Sequence, residues 1–533
     1  EATIKLTNGG EVMLKVRKIL GFALCAAIAA SALSGCGNGK TTGKNGEITL
    51  SYWTQFYPHY GGAYKNMGEA PFYQELQKRT GVKLEFVHPA AGQVEEGFNL
   101  MISSGDYPDL IEHSFTSTGY KGGPNKAMND NVIMDVTDII AKKAPNLNKI
   151  LTENPEWARL VKTDDGKYYC FPGLSGDDSL LFWTGLQMRK DYLKKVNMEA
   201  PETIEEWETV LTAFKDKLNL PYPLTLSNGS FSPMNQFIGA YGIAADYYIE
   251  NNQVKFGPMQ PEFKDFLTTL NRWINDGLLD KDFATHDGKT LDAKIASGEA
   301  GAFTASVGGG MGKYLKAIKV QDEQGDLTAV KYPVLKKGDT PKFGYYTYPF
   351  SQGSSVSIST KCKDIDTAVK FLDYGYSDEG RIYYNFGQEG VSYNMVGDYP
   401  TYTDEIVHNP DGLTMEQAMA KYTRGQLVGP TVQDPRYFEQ FMVTPQQKEC
   451  PGIWELKDTS WCMPPVSYTT EESNAMTSQK NEITNYVMEM QVKFIMGIEP
   501  MSNFDSFQQQ LETLGIKDVL AVQQAALERY NNR

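Results

Sequence analysis

Residues 48–53 read Ile48-Thr-Leu-Ser-Tyr-Trp53, residues 82–87 read Val82-Lys-Leu-Glu-Phe-Val87, and residues 108–112 read Pro108-Asp-Leu-Ile-Glu112. The middle stretch alternates apolar and polar side chains with period two, as a strand with one covered face does. Between the three lie Pro71–Arg79, closed by Thr80-Gly81, and Glu95–Ser103, closed by Gly105-Asp106. Both read as helices, each ended by a glycine. Strand, helix, strand, helix, strand at this spacing predicts a parallel α/β sheet. Ligands of such sheets sit beyond the carboxyl ends of the strands. That directs attention to residues 53–60 and to His113-Ser-Phe-Thr116.

The pattern continues downstream. Pro201–Lys215 is a helix with Thr203 and Glu206 forming a capping box. Its apolar stripe is Ile204, Trp207, Val210, Leu211, Phe214 and Leu218, which assigns Trp207 to the core. In Pro261–Asn275, Phe263, Phe266, Leu267, Leu270 and Trp273 share one face. Ser355–Ser359 reads as a strand and Ile365–Tyr374 as a helix, and the C-terminal third is helical over 483–495, 504–514 and 516–530. Arg189 and Asp191 lie at a helix start and read as a structural ion pair. Gly308-Gly-Gly-Met-Gly-Lys313 departs from a phosphate loop, because Val307 stands at the first required glycine and Tyr314 replaces the Ser/Thr. It reads as a glycine-rich turn.

The N-terminus carries an address. Met13 precedes Lys15, Arg17 and Lys18, then an apolar run from Ile19 to Ala30, then Leu33-Ser34-Gly35-Cys36. A basic start, a short apolar run and small residues make a secretory signal. The run is about a dozen residues, whereas a membrane span needs roughly 20. Leu33-Ser34-Gly35-Cys36 looks like a bacterial lipobox, with Cys36 as the lipidated residue, 13–35 as the signal and 36–46 as a Gly-rich tether. Residues 1–12, upstream of Met13, then read as mis-assigned 5′ sequence or an artificial leftover. The expected location is the outer face of the cytoplasmic membrane, held by lipid alone.

From Cys36 onward 498 residues remain, too many for one hydrophobic core, so at least two domains are expected. The formal net charge is −15, and loss of residues 1–35, with four basic and two acidic side chains, takes it to −17. Such a surface argues against nucleic acid and against direct attraction to anionic lipid. There is no CxxC, and the five histidines are scattered without HExxH spacing, so no metal site is expected. Cys450 and Cys462 are candidates for a short disulfide in an oxidising exterior. Many of the 31 Tyr, 25 Phe and 7 Trp belong to the core, yet Tyr is amphipathic and suits a cleft that packs rings on a ligand.

Several stretches together resemble a known family. They include Ser104-Gly-Asp-Tyr-Pro-Asp-Leu110, Asp165-Gly-Lys-Tyr-Tyr-Cys-Phe-Pro172, and Met188-Arg-Lys-Asp-Tyr-Leu-Lys-Lys-Val196 leading to Pro201. Further on come Ala296-Ser-Gly-Glu-Ala-Gly-Ala302, Phe386-Gly-Gln-Glu-Gly-Val-Ser-Tyr393, Tyr402-Thr-Asp-Glu405 and Phe494-Ile-Met-Gly-Ile-Glu-Pro-Met-Ser502. In order and spacing they resemble the long branch of the family 1 extracellular solute-binding lipoproteins of ABC importers, similar to alginate-oligosaccharide-binding proteins. The resemblance implies a two-lobed, type II periplasmic-binding-protein-like α/β fold with discontinuous lobes and a helical C-terminal region. It places lobe one at 46–170 plus 351–405 and lobe two at 171–350 plus 406–533. It also implies an oligosaccharide as ligand, ABC permease subunits as partners, a monomer, and no cofactor. Some relatives carry a calcium loop after a helix ending Ala-Phe-Lys. Here Ala213-Phe214-Lys215 runs into Asp216-Lys-Leu-Asn-Leu-Pro-Tyr-Pro, without the D-x-[DN]-x-[DN]-G pattern.

Sugars present hydroxyls and apolar C–H faces, so a sugar site needs flat rings with amides and carboxylates beside them. By position in the implied fold, the candidates are Trp53, Tyr57 and His59 after the first strand, Phe115 and Thr116 after the third, and Trp183 near a lobe crossing. Asn235 and Gln236 in a polar loop near Tyr241, Tyr346 and Tyr348 beside Tyr345, Glu389 between glycines, and Trp461 complete the set. An enzyme is not expected: no G-x-S-x-G occurs, and a glycoside hydrolase needs two placed carboxylates that no local motif supplies. A peptide or other small-solute receptor on the same fold is the alternative, because fold does not determine ligand.

Overall fold

The computed structural model describes residues 48–60, 64–116, 119–227, 236–425 and 429–533; the signal, the tether and Cys36 lie outside them. In chain order the strands are β1 (Ile48–Trp53), β2 (Val82–Val87), β3 (Leu110–Glu112), β4 (Phe171–Ser175), β5 (Thr184–Arg189), β6 (Tyr222–Leu224) and β7 (Tyr247–Glu250). They continue with β8 (Gln253–Phe256), β9 (Ala300–Ser306), β10 (Leu327–Val330), β11 (Phe350–Ile358), β12 (Tyr393–Val396), β13 (Tyr399–Tyr402) and β14 (Val432–Gln433). Six of them form one sheet, in the order β14-β4-β11-β3-β1-β2, and four form a second, β10-β5-β9-β6. The other four pair as two hairpins.

The opening strands β1 and β3 pair in parallel as expected, while the first sheet as a whole is mixed. β1 runs parallel to β3 and β14 parallel to β4, but β11 is antiparallel to both β3 and β4. The cause is chain routing. The chain leaves the first sheet at Ser175, builds the second, and returns at Phe350, which pairs with Leu174. A strand re-entering beside the point of exit runs back along its neighbour.

Two hydrophobic cores follow the two sheets. One holds Tyr52, Trp53, Phe98, Ile111, Phe171, Val356 and Phe371. The other holds Trp207, Phe214, Phe266, Trp273, Phe303 and Trp454, with Phe386, Tyr393 and Tyr402 also in it. Trp207 is fully buried, edge-on to Phe237 at 5.0 Å. Its helix, Ile204–Leu218, has the capping box expected of Thr203 and Glu206. Arg189 forks onto Asp191 with two 2.8 Å bonds, a buried ion pair as the sequence indicates. The long C-terminal helix starts earlier than its apolar period suggests, spanning Thr470–Ile495 behind a capping box of Thr469 and Glu472.

Three segments cross between the cores side by side. Ser175 N–H donates to Pro349 O at 2.7 Å, Thr347 N–H to Leu181 O at 3.1 Å, Leu174 N–H to Thr431 O at 3.0 Å and Gly176 N–H to Gln433 O at 3.1 Å. The last helix, Ile516–Asn531, also joins them, placing Val519 in one core and Tyr530 in the other. Arg529 there donates to Asp164 (2.8 Å) and to Glu472 (2.6 Å). Cys450 and Cys462 are separate thiols, not a disulfide. Cys450 is buried in its helix with Sγ 3.2 Å from Gln446 O, while Cys462 bridges to Tyr248. No helix among the described residues is long and apolar enough to cross a membrane.

Candidate functional site

A cavity of about 640 Å³ opens where the three segments cross. Ser175 and Leu180 line it from the first crossing, Thr347, Tyr348, Phe350 and Gln352 from the second, Gln433 from the third. Trp183, Ser306 and Gly308 close it at the second sheet, and Glu416, Tyr437 and Phe441 complete the lining. A second cavity of about 280 Å³ shares Tyr348, Gln352 and Pro465 with it and extends the space toward Thr116, Tyr346, Cys462 and Lys480.

Trp183 is the exposed ring of this site, 38% accessible where most large apolar side chains are buried. Tyr345 supports its indole edge-on at 4.8 Å. Tyr332 fixes that pair: its hydroxyl donates to Thr184 O at 3.0 Å and accepts from Tyr345 N–H at 3.2 Å. Tyr348 donates its hydroxyl to Met463 O and stacks edge-on against Tyr346 at 4.9 Å. Burial pushes the Tyr346 hydroxyl and the Cys462 thiol up to about 12, so both stay neutral at ordinary pH.

The polar face is built from neutral amides and hydroxyls around one carboxylate. Ser175 Oγ donates to Gln433 Oε1 at 2.9 Å, while Gln433 Nε2 donates to Gly425 O at 2.5 Å and to Tyr437 OH at 3.2 Å. The Gly308–Lys313 stretch is part of the wall, not a plain turn. Val307–Gly312 forms one π-helical turn at the end of β9, held by Val307 N–H to Trp183 O (2.9 Å) and Gln447 Nε2 to Val307 O (3.0 Å). A Cβ at Gly308 would stand 1.9 Å from Phe441 Cε1, so glycine is what lets that ring reach the cavity. At Gly309 a Cβ would meet Glu416 Oε1 at 3.4 Å and Ser306 Oγ at 3.7 Å, so these two oxygens share one corner.

Of the residues expected from sequence, the structure gathers Trp183 and Tyr348 in the larger cavity and Thr116, Tyr346 and Tyr348 in the adjoining one. The others lie elsewhere. Trp53 is buried against Phe98 (5.8 Å) and His113 (5.6 Å), and only its edge reaches a separate groove beside Val87 and His88. Tyr57 is buried too, donating to Glu112 Oε1 at 2.9 Å. Phe115 packs on Phe98 at 5.5 Å, and Gln236 accepts from Thr304 Oγ1 at 3.0 Å. Glu389 is exposed on the turn before β12, and Trp461 donates to Asp458 with Lys342 over its ring. The His59 side chain and Asn235 lie outside the described residues. Glu416, Gln433, Phe441 and the glycines 308–309 were not singled out as ligand residues. Only the glycine run left a signal, since repeated glycine marks close backbone approach.

Among the described residues, Asp280, Asp282 and His286 bring potential metal ligands within 4.8 Å of one another. Lys294 already supplies the cation there, with Nζ 2.7 Å from Asp280 Oδ2 and 2.9 Å from His286 Nε2. Residues 216–221 do not fit a calcium loop: the helix runs on to Leu218, ends at Asn219 in the left-handed region, and leads directly into β6.

Comparison with known proteins agrees with this fold. The profile of the bacterial extracellular solute-binding proteins matches residues 63–382. The fructooligosaccharide ABC transporter substrate-binding protein FusA of Streptococcus pneumoniae is 25% identical over 501 residues, covering 87% of this chain and 88% of FusA. Among solved structures, the alginate-binding protein AlgQ2 without calcium ion superposes with a TM-score of 0.70 at 23% identity, covering 90% of this chain and 98% of AlgQ2. An HMO-binding, ABC-transporter-associated solute-binding protein of Bifidobacterium longum infantis gives 0.73 at 18% identity, covering 91% of this chain and 99% of the other. These structures share the two-lobed fold.

Proposed function

Because the chain belongs to the bacterial extracellular solute-binding proteins, we propose that it captures an oligosaccharide in the crossing cavity and delivers it to an ABC permease. One observation carries this reading: an exposed indole, Trp183, braced by Tyr345 and facing a wall of amide, hydroxyl and carboxylate groups. A ring face packs the apolar side of a sugar while planar polar groups exchange hydrogen bonds with its hydroxyls. The proposed lobes follow the two cores, with boundaries near 175, 348 and 385 and a return to the first core at Ala420 and Val432. The protein acts as a monomer and performs no chemistry on its ligand. It is held to the membrane through lipid on Cys36, and cells expressing Cys36→Ala lose it from the membrane fraction if that holds.

Retention tests the function. Purified protein is incubated with a mixture of plant and microbial glycan hydrolysates and peptides, recovered, and its bound molecule identified by mass spectrometry. The expected result is an oligosaccharide, chemically unchanged after prolonged incubation. A retained peptide, or turnover of the sugar beyond the amount of protein present, contradicts the reading.

A further inference from the structure

The charge of the cavity says which sugars it accepts. Among the described residues lining the larger cavity there is no lysine, arginine or histidine, and Glu416 is the one acidic side chain. The internal segments 61–63, 117–118, 228–235 and 426–428 carry no basic residue in the sequence either. Three cations on the surrounding elements are paired with carboxylates other than Glu416. Arg436 forks onto Asp434 (2.9 and 2.6 Å), Lys421 donates to Glu405 (3.1 Å), and Arg424 pairs with Glu112 (2.6 Å). The adjoining cavity does hold a lysine, Lys480, whose Nζ lies 5.4 Å over the Tyr247 ring and draws down the Asp246 carboxyl that burial pushes up, but it does not line the larger cavity.

A carboxylated or sulfated sugar entering a partly dry cavity needs a cation, and arginine is the usual partner because its planar fork matches a carboxylate. Here it would meet Glu416 instead, within a chain of net charge −15. Like charges in a medium less polar than water repel strongly. A neutral sugar gains from the same carboxylate, since hydrogen bonds to an ionised acceptor are roughly twice as strong as neutral ones. We infer that the cavity selects uncharged oligosaccharides over acidic ones, and that Glu416 is the residue that sets the preference. This rests on the oligosaccharide reading above.

The test presents the full mature chain with an equimolar mixture of neutral trisaccharides (kestose, maltotriose, xylotriose, mannotriose) and acidic ones (trigalacturonate, trimannuronate). The retained sugar and the same sugar oxidised at its primary hydroxyls are then compared by calorimetry. The expected outcome is retention of neutral sugars only, with the oxidised form weaker by about 100-fold, which is about 2.8 kcal/mol. In Glu416→Gln that gap narrows about tenfold while the neutral sugar loses only a few-fold, Glu416 being half-buried on a helix where the amide fits. Tighter binding of an acidic sugar, or an unchanged ratio in Glu416→Gln, overturns the inference while leaving an oligosaccharide receptor in place. Failure to retain any saccharide overturns both together.

Discussion

Trp53 and Trp183 both stand near strand ends, yet one is sealed and the other open. The difference is what covers each. Phe98, from the helix Val94–Ser104, and His113 close over Trp53, while Trp183 has Tyr345 on one edge only. His113 itself carries a consequence. Burial holds its imidazole down to about 4, against about 6.5 in an unfolded chain. The folded state therefore binds that proton more weakly, so the stabilisation is complete above about pH 6.5 and lost as pH falls toward 4. The cost approaches about 3 kcal/mol, moderated by exposed Glu95 with Oε2 3.8 Å from Nε2. Urea unfolding at pH 7 and pH 4.5 checks this: His113→Phe should lose less stability on acidification than the parent. Equal losses contradict it. A second buried site, Glu112, accepts from Tyr52 (2.7 Å), Tyr57 (2.9 Å) and Arg424 (2.6 Å). Removing one partner of such a pair strands a buried charge, so Arg424→Ala should cost about 3–5 kcal/mol in the same assay.

Elements were legible where their signals are local. The capping box at Thr203, the apolar stripe through Trp207 and Trp273, and the period-two run of Val82–Val87 all depend on neighbours within a few residues, and all are present as read. The antiparallel insertion of β11 was not legible, because its partner β4 lies 176 residues earlier in the pairing of Phe350 with Leu174. The site divides the same way. Trp183 and Tyr348 announce themselves as aromatics beside a crossing, but Glu416, Gln433 and Phe441 become neighbours only when the third crossing closes. The π-helical turn at 307–312 yields an element-scale prediction. A methyl at Gly308 collides with Phe441 Cε1, and that ring can relieve the collision only by leaving the cavity wall. Gly308→Ala should weaken sugar binding by about tenfold, roughly 1.4 kcal/mol within the range of overpacking effects. Calorimetry beside a thermal melt decides it, the melt separating loss of the wall from loss of the fold. Unchanged affinity with an intact fold means Phe441 does not touch the ligand.

At the scale of the whole molecule, the passages that join the two cores include three adjacent segments and a C-terminal helix whose Arg529 bonds to Asp164 and Glu472. Adjacent crossings with a cavity beside them suit closure about a bound solute, a hinge motion absorbed by the crossing residues. Every wall of the cavity then contributes to one event, although its residues lie up to 290 positions apart, from Ser175 to Pro465. Hydrogen exchange with and without the retained oligosaccharide measures this directly. The account predicts simultaneous slowing at 174–184, 306–312, 347–352 and 432–441. Slowing confined to 53–60 and 113–116, around Trp53, would contradict it and place the solute at the strand ends.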